Sequence, residues 1–171
     1  MIGYSEVIQT MAAMIIFSMI LMNANRMIHR NTVMQVEGEL EQEVIALGQE
    51  IIEEAHTKSF DEVTVGATAP PADIPGDFVA STSLGTDGET ARQYYDDFDD
   101  YNGHTETAQT AHGDFEISVE VYYVDEDDYE QTSSKTTFKK IEVTITSQFL
   151  RNNAGDLREY RLEFIRNYYA D

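Results

Sequence analysis

The chain has 171 residues, enough for one domain with a modest core plus an appendage. Its 32 acidic and 11 basic residues give a formal charge of -21, a surface that repels nucleic acid, whose binding depends on Lys and Arg neutralising phosphates. The absence of cysteine excludes a disulfide framework, a Cys-ligated zinc site and a thiol nucleophile, so an exported form would need another source of rigidity.

The charge is spread unevenly. Residues 7–22 include no ionisable group, and 11–22 are almost wholly apolar. A bilayer-spanning helix needs about 20 residues. Residues 2–4 extend the run toward that length, with Glu6 the one acid in the way, and Arg26 and Arg30 follow it. A signal peptide would start with a basic region and end at a small-residue cleavage site, and neither is visible. A soluble core helix would not be apolar on all sides. That leaves a membrane anchor or a helix that packs among other helices.

The helical signal continues past the apolar run, since no proline occurs before Pro70. Val33, Val36, Leu40, Val44, Leu47 and Ile51 recur at steps of three and four, a narrow stripe of coiled-coil type. Gly38 and Gly48 weaken the helix without ending it. The pattern predicts one helix over residues 1–56, roughly 80 Å long. Residues 1–25 form its hydrophobic half, for membrane or assembly, and its second half needs cover for one stripe only.

Residues 57–171 read as a β-rich head, with a loop region over 57–112 that holds all three prolines. Within it, Val63, Val65, Phe78 and Val79 give the loops something to bury. Three segments then alternate with period two: 115–123, 141–145 and 160–164. Their wet faces set Glu116, Glu120, Glu142 and Glu163 beside Lys140 and Arg161, and their short links fit an antiparallel meander. The buried face is the natural cover for the stripe from Val33 to Ile51. The expected fold class is α+β, a long N-terminal helix packed on a small antiparallel sheet.

No catalytic pattern emerges. His29, His56, His104 and His112 fall in no ligand or triad spacing, and there is no Gly-rich phosphate loop. Asp96, Asp97, Asp99 and Asp100 offer oxygen ligands of the type calcium takes, but not in EF-hand order. The competing reading of this loop, and of the second cluster at 125–128, is solvated turns on an acidic surface. The expectation is a non-enzyme with no required cofactor.

A carboxylate at the start of an apolar helix is costly in a bilayer, which points to a function; its plain alternative is a favourable place near the helix dipole. The N-terminal pattern resembles the type IV pilins and their minor-pilin and secretion pseudopilin relatives, whose mature chains begin with an apolar helix bearing Glu at its fifth position. Glu6 is the matching residue, fifth if Ile2 is the mature terminus and sixth counting from Met1. The segment Phe60-Asp61-Glu62-Val63-Thr64 resembles the stretch after the helix in that family. Residues 95–103 and 138–145 are similar to the acidic loop and penultimate strand of minor pilins of the mannose-sensitive haemagglutinin type. The helix proline of many bacterial pilins, their short basic leader and a disulfide-closed C-terminal loop have no counterpart here. The resemblance implies the type IV pilin fold and a structural subunit that polymerises with copies of itself into an extracellular filament at the cell surface. The alternative it allows is a minor pilin or pseudopilin that primes a pilus or a type II secretion filament. Its implied partners are an inner-membrane assembly machine, a leader peptidase and, before assembly, the membrane itself. Met1, Ile2 and Glu6 are the implied assembly residues, with Glu6 neutralising the terminal amine of a neighbouring subunit.

Overall fold

A computed structural model describes residues 3–151 and 155–170. It comprises two compact units, Met1–Glu41 and Gln42–Asp171. Helix α1, Tyr4–His56, runs unbroken for 53 residues. Its sequence contains no proline, so every residue can donate to the ladder of backbone hydrogen bonds. The helix stops in a tightened last turn: the Thr57 N–H donates to the carbonyls of Glu53 and Glu54, and its hydroxyl also donates to that of Glu54.

The second unit is α+β. Four strands, β1 (Thr105–Thr110), β2 (Gly113–Tyr123), β3 (Phe138–Arg151) and β4 (Leu157–Asn167), form one antiparallel sheet in chain order. The helical residues of this unit pack on the sheet. Gly48 lies against Leu162, and the His56 ring meets Phe164 edge-on at 5.3 Å. The alternation in β2 and β3 sends Phe115, Ile117, Val119, Val121, Ile141, Val143 and Ile145 inward, where they join Val44, Ile51 and Ala55 in the core. Each such burial contributes about 1.5–3 kcal/mol for the larger side chains. On the wet face, Lys140 pairs with Glu163 and Arg161 with Glu142, as the alternation requires.

Three expectations need correction. Residues 105–110, placed in the loop region, are a strand: β1 is joined to β2 by the two-residue turn Ala111-His112, after which Gly113 opens β2 with φ 115°. The stripe predicted from Val33 to Ile51 is displaced toward the C-terminus. Val33 and Val36 are exposed, and the buried positions are Leu40, Val44, Gly48, Ile51 and Ala55. The period selects a face of the helix and does not say where along that face burial begins. Of the loop residues expected to be buried, Phe78 is in a core cluster with Phe60 and Tyr123, while Val63 is exposed.

Candidate functional site

Two features go beyond what folding a head requires: the apolar part of α1 and a buried ionic cluster in the second unit. The first is a helix long and apolar enough to cross a membrane, with none of its apolar window buried within the chain. Ile8, Met11, Met14, Ile15, Phe17, Met19 and Ile20 are all exposed by more than half. Its hydroxyls are provided for locally, since Thr10 donates to the Val7 carbonyl and Ser18 to that of Met14. The segment can therefore enter a dry environment without stranding those groups. Glu6 lies in the first turn, where its carboxylate accepts from the Gly3 N–H at 3.2 Å. The other two assembly residues, Met1 and Ile2, lie outside the described residues.

The second feature centres on Lys139, which is completely buried. Its Nζ donates to Asp61 Oδ2 at 2.8 Å, to Asp99 Oδ1 at 2.5 Å and to the Phe60 carbonyl at 2.9 Å, so all three ammonium protons are used. The rings of Phe60 and Tyr123 face the same nitrogen, with centroids at 4.7 and 5.2 Å. Asp61 is buried too, and donors surround it. The Val79 N–H reaches both of its oxygens at 3.1 Å, the Val63 N–H reaches Oδ1 at 3.4 Å, and the Tyr123 hydroxyl reaches Oδ2 at 3.1 Å.

The local sequence builds this arrangement. Ser59 leaves the helix and runs beside the acidic loop, its N–H donating to the Asp96 carbonyl and its own carbonyl accepting from the Phe98 N–H. That pairing brings Phe60 and Asp61 alongside the one-turn helix Asp99–Tyr101. Lys139 arrives from β3, on the same side as Ile141, Val143 and Ile145.

The reading of the acidic loop as solvated turns is overturned for three of its four aspartates. Asp97, Asp99 and Asp100 are buried, and only Asp96 is exposed. Nor do the four converge as one ligand set. Asp99 turns to Lys139, while Asp97 and Asp100 each accept from the other's backbone N–H. Asp100 instead groups with Asp87 and Glu89, the ligand oxygens of the three lying within 4.8 Å of one another. Burial, then repulsion from Asp99 and Asp100, pushes the Asp97 carboxyl up to about 8. Burial also raises Asp99, against the pull of Lys139, and raises Asp100.

A second ionic clasp joins the end of α1 to the loops. Arg92 donates to Glu54 at 2.6 Å and to Glu106 of β1 at 2.8 Å, and Tyr101 donates to Glu54 at 2.8 Å. Burial works against the Glu54 charge, but the bonds from Arg92 and Tyr101 outweigh it and hold that carboxyl below its usual range. The four histidines stay apart in role: His112 contacts Glu43 at 2.6 Å, and His104 contacts the Tyr95 hydroxyl at 3.2 Å.

Lys139, Asp61, Tyr123, Arg92 and Glu54 escape a reading by residue type. The signal for Lys139 was nonetheless present: it shares parity with the inward positions 141, 143 and 145, so the strand period already places it on the dry face. No family model matches the chain, and neither a curated protein nor a solved structure is significantly similar to it.

Proposed function

We propose that this chain is a structural subunit of an extracellular type IV pilus-like filament, held in a membrane before assembly and polymerising with copies of itself through the apolar part of α1. The observation that carries the reading is the helix itself. The large apolar residues between Ile8 and Met22 are exposed by more than half, over a stretch with no ionisable group and with Glu6 just before it. An apolar surface of that extent needs lipid or other helices around it. Lipid would cover it in a monomer, and equivalent helices would cover it in a filament.

Glu6 separates an assembling helix from a simple anchor. In a dry bundle its carboxylate would exchange the Gly3 N–H for the terminal amine of a neighbour, a pairing that sets register more than it adds stability. Glu6→Ala is expected to abolish filaments in sheared surface material viewed by electron microscopy, while purified subunit keeps the melting temperature of the natural chain. Normal filaments from that variant would defeat the role given to Glu6. A priming minor pilin or pseudopilin shares every feature above and is distinguished by abundance. A major subunit dominates the sheared protein, and a priming subunit is a trace component.

A further inference from the structure

A primary amine held against two carboxyl groups in a dry, aromatic-lined site is the reactant arrangement for amide formation. Lys139 is fully buried, and its Nζ lies 2.5 Å from Asp99 Oδ1 and 2.8 Å from Asp61 Oδ2, flanked by the rings of Phe60 and Tyr123. The two carboxyls differ in surroundings. Asp61 accepts from the N–H groups of Val63 and Val79, and its Oδ2 lies 3.1 Å from the Tyr123 hydroxyl. Asp99 faces the amine in a place where burial favours the neutral acid.

We propose that Lys139 and Asp99 join in an intramolecular isopeptide bond, with Asp61 as the proton relay. Transfer of one proton from the Lys139 ammonium to the Asp99 carboxylate converts the ion pair into a neutral amine and a carboxylic acid. The Nζ lone pair attacks Cγ of Asp99 and a C–N bond forms. Asp61 takes a proton from the nitrogen and returns it to the hydroxyl on Cγ. The C–O bond breaks, water leaves, and the carbonyl reforms. One amine and one carboxylic acid become one amide and one water, Asp61 ends as the carboxylate it began as, and no oxidant or cofactor is consumed. Fixing both groups on a folded scaffold replaces the activation that amide formation needs in free solution.

The bond would tie β3 to the acidic turn 40 residues earlier in the chain. It supplies a covalent staple to a head that contains no cysteine. It concerns the head alone and stands or falls separately from the filament reading.

The test is peptide mapping of the full chain, purified in detergent, denatured and digested. Tandem mass spectrometry should find the segment containing Asp99 joined to the segment containing Lys139, one water lighter than their sum, in most molecules. Asp61→Asn keeps the shape of the relay without its basicity, and should yield unlinked peptides from a chain whose circular dichroism is unchanged. Free Lys139 and Asp99 in the natural chain, meaning a buried ion pair and nothing more, overturn the proposal. So does a link from Lys139 to Asp61, or one that persists in Asp61→Asn.

Discussion

At the scale of single residues, the buried acids give the head a pH dependence opposite to that of most acidic proteins. An aspartate in an unfolded chain loses its proton near pH 3.9. In the folded head, burial first and the neighbouring Asp99 and Asp100 next hold the Asp97 proton up to about pH 8. Between those values the folded state carries a proton that the unfolded chain has lost. Stability therefore declines as pH rises from about 4 to 8, by an amount on the order of a few kcal/mol. Asp100 shifts in the same direction, and so does Asp99 in any molecule where it is not joined to Lys139. Glu54, whose carboxyl is lowered, contributes stability that is lost only below its ordinary range, outside this window. The melting temperature should be higher at pH 5 than at pH 9, and Asp97→Asn should flatten part of that slope. Its amide oxygen can still accept from the Asp100 N–H, as Asp97 Oδ1 does at 3.0 Å. A natural chain whose melting temperature rises between pH 5 and pH 9 would contradict this account. Reading the loop by residue type missed these acids because aspartate is nearly always solvated. What removes Asp97 and Asp99 from water is Ser59, Asp61 and Lys139, groups far away in sequence.

At the scale of elements, the two glycines of α1 make the contrast that sequence cannot see. Both cost the helix about 1 kcal/mol relative to alanine. A Cβ on Gly38 would meet nothing within 4 Å, whereas one on Gly48 would come within 2.9 Å of Leu162 Cδ2 and 3.3 Å of its Cγ. Gly38→Ala should therefore stabilise its stretch of helix by about 0.5–1 kcal/mol, seen as slower amide hydrogen exchange around that position in detergent. Gly48→Ala gains the same propensity but obliges the Leu162 side chain to shift, so it should stabilise the head less than Gly38→Ala stabilises its stretch. The reverse ordering would mean that the helix does not lie on β4 as described. Much of this architecture was legible because its signals are local. The helix follows from a proline-free apolar run, and β2, β3 and β4 follow from period-two alternation. Strand β1 was not, since Thr105-Glu-Thr-Ala-Gln-Thr110 has no apolar face and is a strand only because the Gly113 turn lays it along β2. The start of the buried stripe was equally hidden, because periodicity fixes an angle around the helix and says nothing about where along its axis burial begins.

At the scale of the molecule, the formal charge of -21 and the apolar helix oppose each other in any assembly. Burying the helix drives copies together, and acidic heads brought side by side repel. Salt acts on the second term far more than on the first, because the screening length falls from about 30 Å at 0.01 M to about 3 Å at 1 M. If helix burial drives the proposed filament, raising sodium chloride across that range should lower the concentration at which detergent-extracted subunit sediments as filaments. If ion pairs between subunits drove it instead, with Arg26 and Arg30 meeting the glutamates further along α1, the same salt would dissolve the filaments. A charge substitution provides the check that salt alone cannot. Glu126, Asp127 and Asp128 form an exposed acidic turn well away in sequence from the Lys139 cluster. The triple variant Glu126→Gln, Asp127→Asn, Asp128→Asn removes three negative charges and retains the Asp128 oxygen that accepts from the Glu130 N–H. It should form filaments at a lower salt concentration than the natural chain, with stability changed by no more than about 0.5 kcal/mol. A variant that needs as much salt as the natural chain would mean that this acidic turn does not face a neighbouring head.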